Sequence, residues 1–257
     1  VIIVENRCVE QIPVLHIVNR ELLYDKLPFV MFVHGFTSAK EHNLHYAYLL
    51  AEKGFRVVLP EAAYHGERHA EGLKTEEIAL NFWNIVLQTI DELDILRQYF
   101  DSANLIDANR IGLVGTSMGG MVTLGSLTRY QWIKAAVSLM GMPQYEKYAL
   151  WQLEMLKQQG IKLPIQQEEI NAMLEKLKPV DLSKHPESLD NRPLLFWHGK
   201  QDHIVPFSYT YDFYEKVKPL YKKTPEKLHF IIDDKSGHKV SREGLLKTVD
   251  WFDTFLV

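Results

Sequence analysis

Cysteine is almost missing: Cys8 is the only one in 257 residues, so the chain can close no internal disulfide and build no thiolate metal site. Such usage fits a reducing compartment. No stretch approaches the roughly 18 consecutive apolar residues that a membrane helix needs. Val1 to Glu5 also lacks the basic and then apolar pattern of a secretory leader. A soluble, cytoplasmic protein without a membrane span is expected. Neither sign of charge dominates, since 29 Lys and Arg face 33 Asp and Glu for a net charge of −4. The two signs are interspersed, which argues against nucleic acid or a membrane surface as partner and for a small molecule. A homo-oligomer is left open. The chain carries no G-x-G-x-x-G, no P-loop, no internal repeat and no low-complexity tract, so no cofactor is expected. Eleven histidines include His42 with His45 and His65 with His69, but no acidic-histidine signature accompanies either pair, and no metal is expected.

What is present is apolar patterning on a large scale. At 46% hydrophobic and 24% charged, the chain can bury a sizeable core. Ile2 to Val9 and Ile12 to Val18 read as two strands of an antiparallel hairpin. Continuous apolar runs follow at Phe29 to Val33, Arg56 to Pro60, Ile111 to Val114, Ala135 to Met140, Leu194 to Trp197 and Leu228 to Ile232. Runs without alternation suit strands buried on both faces, as in a mostly parallel sheet covered by helices. Helical patterns lie between them. Ser38-Ala39-Lys40-Glu41 fits a capping box opening a helix to about Lys53, with Gly54 as its stop. Apolar residues from Ile78 to Phe100 recur at near-helical spacing and predict one helix over roughly 75 to 100. Further helices are expected at 118 to 130, 208 to 218 and 241 to 256. The alternation predicts an α/β, doubly wound fold. Residues 143 to 192 interrupt it with two helical patterns separated by Gly160 and Pro164. An insertion of that length is too long for a plain crossover and reads as a helical cap, leaving 1 to 142 and 193 to 257 as the core.

The motif richest in chemistry is Gly115-Thr116-Ser117-Met118-Gly119, a G-x-S-x-G placed after the apolar run Ile111 to Val114 and before a helical segment. That order is what a nucleophile elbow requires, because the serine sits on a turn too sharp for side chains on either flank. A serine becomes a useful nucleophile when a base takes its proton and a third group orients that base. Asp202 follows one later strand and His238 the next, so both fall at the carboxyl edge of the expected sheet, where such sheets place their sites. Asp233 and Asp234 are too close in sequence to His238 to be the preferred orienting acid. His203 and His229 read as packing or surface residues.

Serine, acid, histidine is the chain order of the α/β-hydrolase triad. Here the sequence, from about residue 28 onward, resembles the α/β-hydrolase family, and within it the small bacterial esterases related to the catalytic domain of prolyl oligopeptidases. The resemblance implies Ser117 as nucleophile, His238 as general base and then acid, and Asp202 as the residue that holds the imidazole. It also implies an oxyanion hole made by the backbone N–H groups of Phe36, in the loop His34-Gly35-Phe36-Thr37, and of Met118. The expected activity is hydrolysis of small, short-chain carboxylic esters through an acyl-enzyme. A thioesterase, an acyltransferase or a peptidase would use the same triad, and a non-catalytic binding protein could keep the scaffold. The peptidase relatives carry a β-propeller for which this chain has no matching stretch, which lowers the weight of peptide substrates. His34, His65, Tyr148 and Trp151 are the candidate substrate-contacting side chains.

Overall fold

The computed structural model describes residues 1–158, 160 and 166–257. Strands β1 (Ile2–Val9) and β2 (Ile12–Asn19) pair antiparallel, joined at Glu10 and Gln11, both with positive φ as a tight two-residue hairpin turn requires. Then come β3 (Leu27–Val33), β4 (Arg56–Pro60), β5 (Ile106–Thr116), β6 (Ala135–Leu139), β7 (Leu194–Gly199) and β8 (Leu228–Asp233). All eight form one sheet in the order β1-β2-β4-β3-β5-β6-β7-β8. β2 meets β4 antiparallel, and every pairing from β4 onward is parallel.

The strands read as unbroken apolar runs because each supplies two cores. Phe29, Met31 and Val33 of β3 point into one, while Val30 and Phe32 point into the other, as the period of two dictates. Helices α1 (Leu44–Glu52) and α8 (Arg242–Leu256) cover one face with Leu50, Phe252 and Leu256. The opposite face carries α3 (Phe82–Ser102), α4 (Met118–Arg129) and α7 (Phe207–Val217). Burying a leucine or phenylalanine at such positions contributes about 1.5–3 kcal/mol each, which fixes which face every helix presents.

Two local expectations are corrected. The helix foreseen over 75 to 100 is two, α2 (Thr75–Leu80) and α3, broken at Asn81, whose side-chain amide donates to the Glu77 carbonyl at 3.0 Å. Asparagine offers the backbone that alternative partner, and apolar spacing does not register it. Ser38 caps nothing: its hydroxyl pairs with His42 Nδ1 at 3.0 Å, and Glu41 is drawn to the Lys40 ammonium at 2.8 Å. A single 3-10 turn over Lys40–Asn43 therefore precedes α1.

Between β6 and β7 lie α5 (Tyr145–Gln158) and α6 (Gln167–Leu177), at the positions of the two expected helices; Pro164 falls outside the described residues. The stretch is rooted in the main core through Tyr145, Leu177, Leu182 and Leu189. Its end is tied down by buried Arg192, which donates to the carbonyls of Leu127 at 2.6 Å, Tyr130 at 2.8 Å and Ile133 at 3.2 Å. Among the described residues no helix is long and apolar enough to cross a membrane.

Candidate active site

Because β3, β5, β7 and β8 run parallel, the loops that follow them open at one edge of the sheet, and these loops carry His34 to Thr37, Ser117, Asp202 and His238. Ser117 sits at the tip of the β5–α4 turn with φ 55° and ψ −113°. A non-glycine residue held there costs on the order of 1–3 kcal/mol, which the surrounding packing has to offset. Its flanking glycines are set by close approach. A Cβ on Gly115 would lie 2.2 Å from the Gly119 backbone, and one on Gly119 would lie 2.0 Å from the Val33 carbonyl oxygen. The motif thus lets α4 start directly against β3 and β5. Gly119→Ala is expected to cost about 4 kcal/mol or more, read from the urea midpoint; an unchanged midpoint would show that the turn has slack.

The acid and the histidine arrive by a similar device. Gly199 ends β7 so closely under the β8 loop that a Cβ would meet the Ser236 and Gly237 carbonyl oxygens at 2.4 Å. The Lys200 and Gln201 amides then donate to Asp233 O at 2.8 Å and Ser236 O at 3.1 Å, zipping the two loops together. Across this seam His238 Nδ1–H donates to Asp202 Oδ2 at 2.7 Å, while the Ser117 hydroxyl donates to His238 Nε2 at 2.8 Å. The other Asp202 oxygen accepts the amides of Ile204 and Val205, each at 2.9 Å. Burial pushes the Asp202 carboxyl up, but His198, His238 and the Val205 amide together hold it well below its ordinary value.

His198 is a participant that sequence reasoning left without a role. It is fully buried, its Nε2–H donates to Val205 O at 2.9 Å, and the same nitrogen lies 3.3 Å from Asp202 Oδ2. Its only sequence signal is a place four residues before Asp202. The rivals considered for the acid are otherwise engaged. Asp233 accepts the amides of Lys235 and Ser236 at 3.1 and 3.0 Å, and Asp234 pairs with Lys200 at 2.9 Å. His203 and His229 are exposed.

Among the described residues, neither the Phe36 nor the Met118 amide donates to another protein group. Met118 is the first residue of α4, so its N–H is one of the orphan donors of a helix start. Gly35 brings the loop of Phe36 close to the serine, since a Cβ there would stand 3.6 Å from Ser117 Cβ.

His34 and His65, expected as substrate contacts, lie beneath that loop instead. The correction has a simple cause: both are buried, and both ring nitrogens of each are taken up by the protein. His34 Nδ1–H donates to Gly35 O at 2.8 Å, and its Nε2 accepts the Ala62 amide at 3.0 Å. His65 Nε2 accepts the Thr37 amide at 3.0 Å. Behind them Glu61, fully buried, receives the Lys40 amide at 3.1 Å and the Lys40 ammonium at 3.2 Å. Burial alone would push the Glu61 carboxyl up, but the Lys40 ammonium beside it holds it below its ordinary value.

Tyr148 and Trp151, the other two expected contacts, do face open space. With Phe82, Trp83, Met173 and Ile204 they line a cavity of about 680 Å³ between the start of α3 and the helices α5 and α6. Tyr148 and Trp151 stack at 5.5 Å, and the Tyr148 hydroxyl donates to Ile204 O at 3.0 Å. Ser117 and His238 are not in its wall, but the cavity reaches their neighbours: Phe82 packs edge-on against Phe36 at 5.5 Å, and Ile204 follows Asp202 by two residues. Among the described residues no three His, Cys, Asp or Glu side chains are grouped to hold a metal.

This eight-stranded, mostly parallel sheet with its antiparallel N-terminal hairpin has the α/β-hydrolase fold. Among solved structures, TT1662 from Thermus thermophilus matches with a TM-score of 0.76 and 19% identity, over 100% of this chain and 98% of that one. Acylaminoacyl peptidase from Pyrococcus horikoshii matches with a TM-score of 0.70 and 20% identity, over 99% of this chain but 42% of that one. The chain belongs to the prolyl oligopeptidase family, whose pattern (Peptidase_S9) matches residues 42–256. Curated relatives include the Bacillus subtilis (strain 168) protein named "Putative esterase YitV", 52% identical over 253 residues that make up 98% of this chain and 99% of that protein. Another is "Esterase YjfP" of Escherichia coli (strain K12), 34% identical over 204 residues, 79% of this chain and 80% of that protein.

Proposed function

We propose that this hydrolase is a serine carboxylesterase acting on small carboxylic esters through a covalent acyl-enzyme. The observation that carries the reading is His238, bonded on one side to Ser117 and on the other to Asp202. With Asp202 fixing the proton on Nδ1, the free Nε2 lone pair faces the serine hydroxyl. Ser117 Oγ attacks the ester carbonyl as its proton passes to Nε2, and the carbonyl oxygen becomes an oxyanion received by the Phe36 and Met118 amides. The imidazolium then protonates the leaving alcohol, and water repeats the sequence to free the acid and restore Ser117. The names of the relatives support ester hydrolysis as the activity.

In this reading α5 and α6 act as a cap, with 1 to 142 and 193 to 257 as the catalytic core. The cavity beneath them takes the acyl group, with Tyr148 and Trp151 as its walls. Its volume of about 680 Å³ suits a small organic acid, within the roughly 300–1,000 Å³ typical of such sites. The exposed, unpaired Cys8 is in keeping with a cytoplasmic setting. Met173→Trp, which fills the cavity from α6, is expected to lower the hexanoate-to-acetate ratio of kcat/KM by on the order of tenfold. p-Nitrophenyl ester hydrolysis reads it; an unchanged ratio would remove this cavity from substrate binding.

A further inference from the structure

We propose that His65 is a positioning residue that fixes the turn presenting the Phe36 amide, by accepting the Thr37 N–H on a neutral imidazole. The inference rests on the esterase reading, in which the Phe36 amide receives the oxyanion. Thr37 has φ 59°, in the left-handed region that a β-branched residue rarely occupies, so the turn needs an outside hold. Three bonds arise locally, from the Ser38 amide to Gly35 O at 3.2 Å, from His34 Nδ1–H to the same oxygen at 2.8 Å and from the Thr37 hydroxyl to Phe36 O at 2.7 Å. A fourth comes from a distant part of the chain: Thr37 N–H donates to His65 Nε2 at 3.0 Å. This anchors the peptide that follows Phe36, and with it the orientation of Phe36 itself.

The geometry specifies the form of the ring. Nε2 accepts, so the proton belongs on Nδ1, which lies 2.8 Å from the Ala63 carbonyl oxygen and donates to it. Protonating Nε2 would set two donors against each other. Burial pushes His65 below its ordinary value, partly countered by the Ala63 carbonyl, so the accepting form persists. His65 is 4% exposed, its ring centre 5.1 Å from that of His34 and 5.5 Å from that of Phe36, which it meets at a steep angle. It is therefore placed to hold the loop and closed off from substrate. A donor that must already point at the developing charge acts in the transition state rather than in ground-state binding. The His65 effect accordingly falls on kcat.

The test compares His65→Leu, which cannot accept the bond, with His65→Gln, whose carbonyl oxygen can. His65→Leu is expected to lower kcat for p-nitrophenyl butyrate by on the order of 10- to 100-fold with KM within about twofold, and His65→Gln to recover at least about tenfold of that loss. Equal losses in both variants, or a wild-type kcat in His65→Leu, would overturn the proposal. Nitrogen NMR of the histidine-labelled wild-type enzyme provides a check that needs no variant to fold: the Nδ1–H tautomer is expected at neutral pH, and an Nε2–H ring or an imidazolium would contradict it. Labelling of wild-type protein by a fluorophosphonate, lost in Ser117→Ala, separates the two claims. Without that labelling the esterase reading itself fails; with it, the His65 variants decide this proposal alone.

Discussion

Replacing Ser117 by alanine is expected to lower kcat for p-nitrophenyl butyrate by on the order of 10⁴ to 10⁶ while the protein remains folded. The chemistry runs through one atom. Without Oγ the imidazole can at best activate water, and what is left is the contribution of binding and of the oxyanion donors. The fold should not suffer, because the backbone of the turn is held by groups that the substitution does not touch. The Ser117 amide donates to Leu139 O at 2.8 Å, the Ser117 carbonyl accepts from the Met121 amide at 2.9 Å, and the glycines at 115 and 119 keep their contacts. Kinetics together with the thermal unfolding midpoint separate the two effects. Substantial activity in a folded Ser117→Ala protein would remove this serine from the mechanism.

Asp202→Asn should come next in size, with a loss in kcat on the order of 10⁴. One carboxylate oxygen faces His238 Nδ1 at 2.7 Å and the other accepts two backbone amides, so an amide group cannot satisfy both sides. If its oxygen stays on the Ile204 and Val205 amides, its NH₂ points at Nδ1 and drives the histidine proton to Nε2. There it faces the serine and blocks proton uptake. His198 Nε2, 3.3 Å away, would meet the same NH₂. Linkage gives a second readout. The folded carboxyl titrates below its unfolded value of 3.8, so its stabilising contribution is present above that value and is lost as pH falls through the folded one. The stability gap between wild type and variant should therefore be widest near neutral pH and narrow in strong acid. Denaturant midpoints followed from pH 7 down to the lowest pH at which both proteins stay folded measure it.

Much of this arrangement can be read from the chain because its physics is local. Runs such as Phe29 to Val33 must be buried on both faces, and only a covered sheet does that. The glycines around Ser117 mark a turn that admits nothing larger. Asp202 and His238 follow strands, and parallel strands deliver their loops to one edge. What was not legible depends on partners distant in sequence. His34 and His65 stand where a pocket wall would, yet Ala62, Ala63 and Thr37 occupy their nitrogens. The buried group of Glu61 with Lys40 joins residues 21 positions apart that no motif connects. The capping expected at Ser38 and the unbroken helix expected across Asn81 failed for a related reason: each side chain found a nearer hydrogen-bond partner, His42 and the Glu77 carbonyl.

The most direct test of the central claim is mass spectrometry of the wild-type protein after reaction with a fluorophosphonate, followed by peptide mapping. Such reagents are attacked by an activated serine and leave a stable phosphonyl adduct. One adduct per chain is expected, on the peptide containing Ser117, formed at a rate that falls sharply in His238→Ala. An adduct on another residue, or no adduct on folded protein that still cleaves esters, would contradict it.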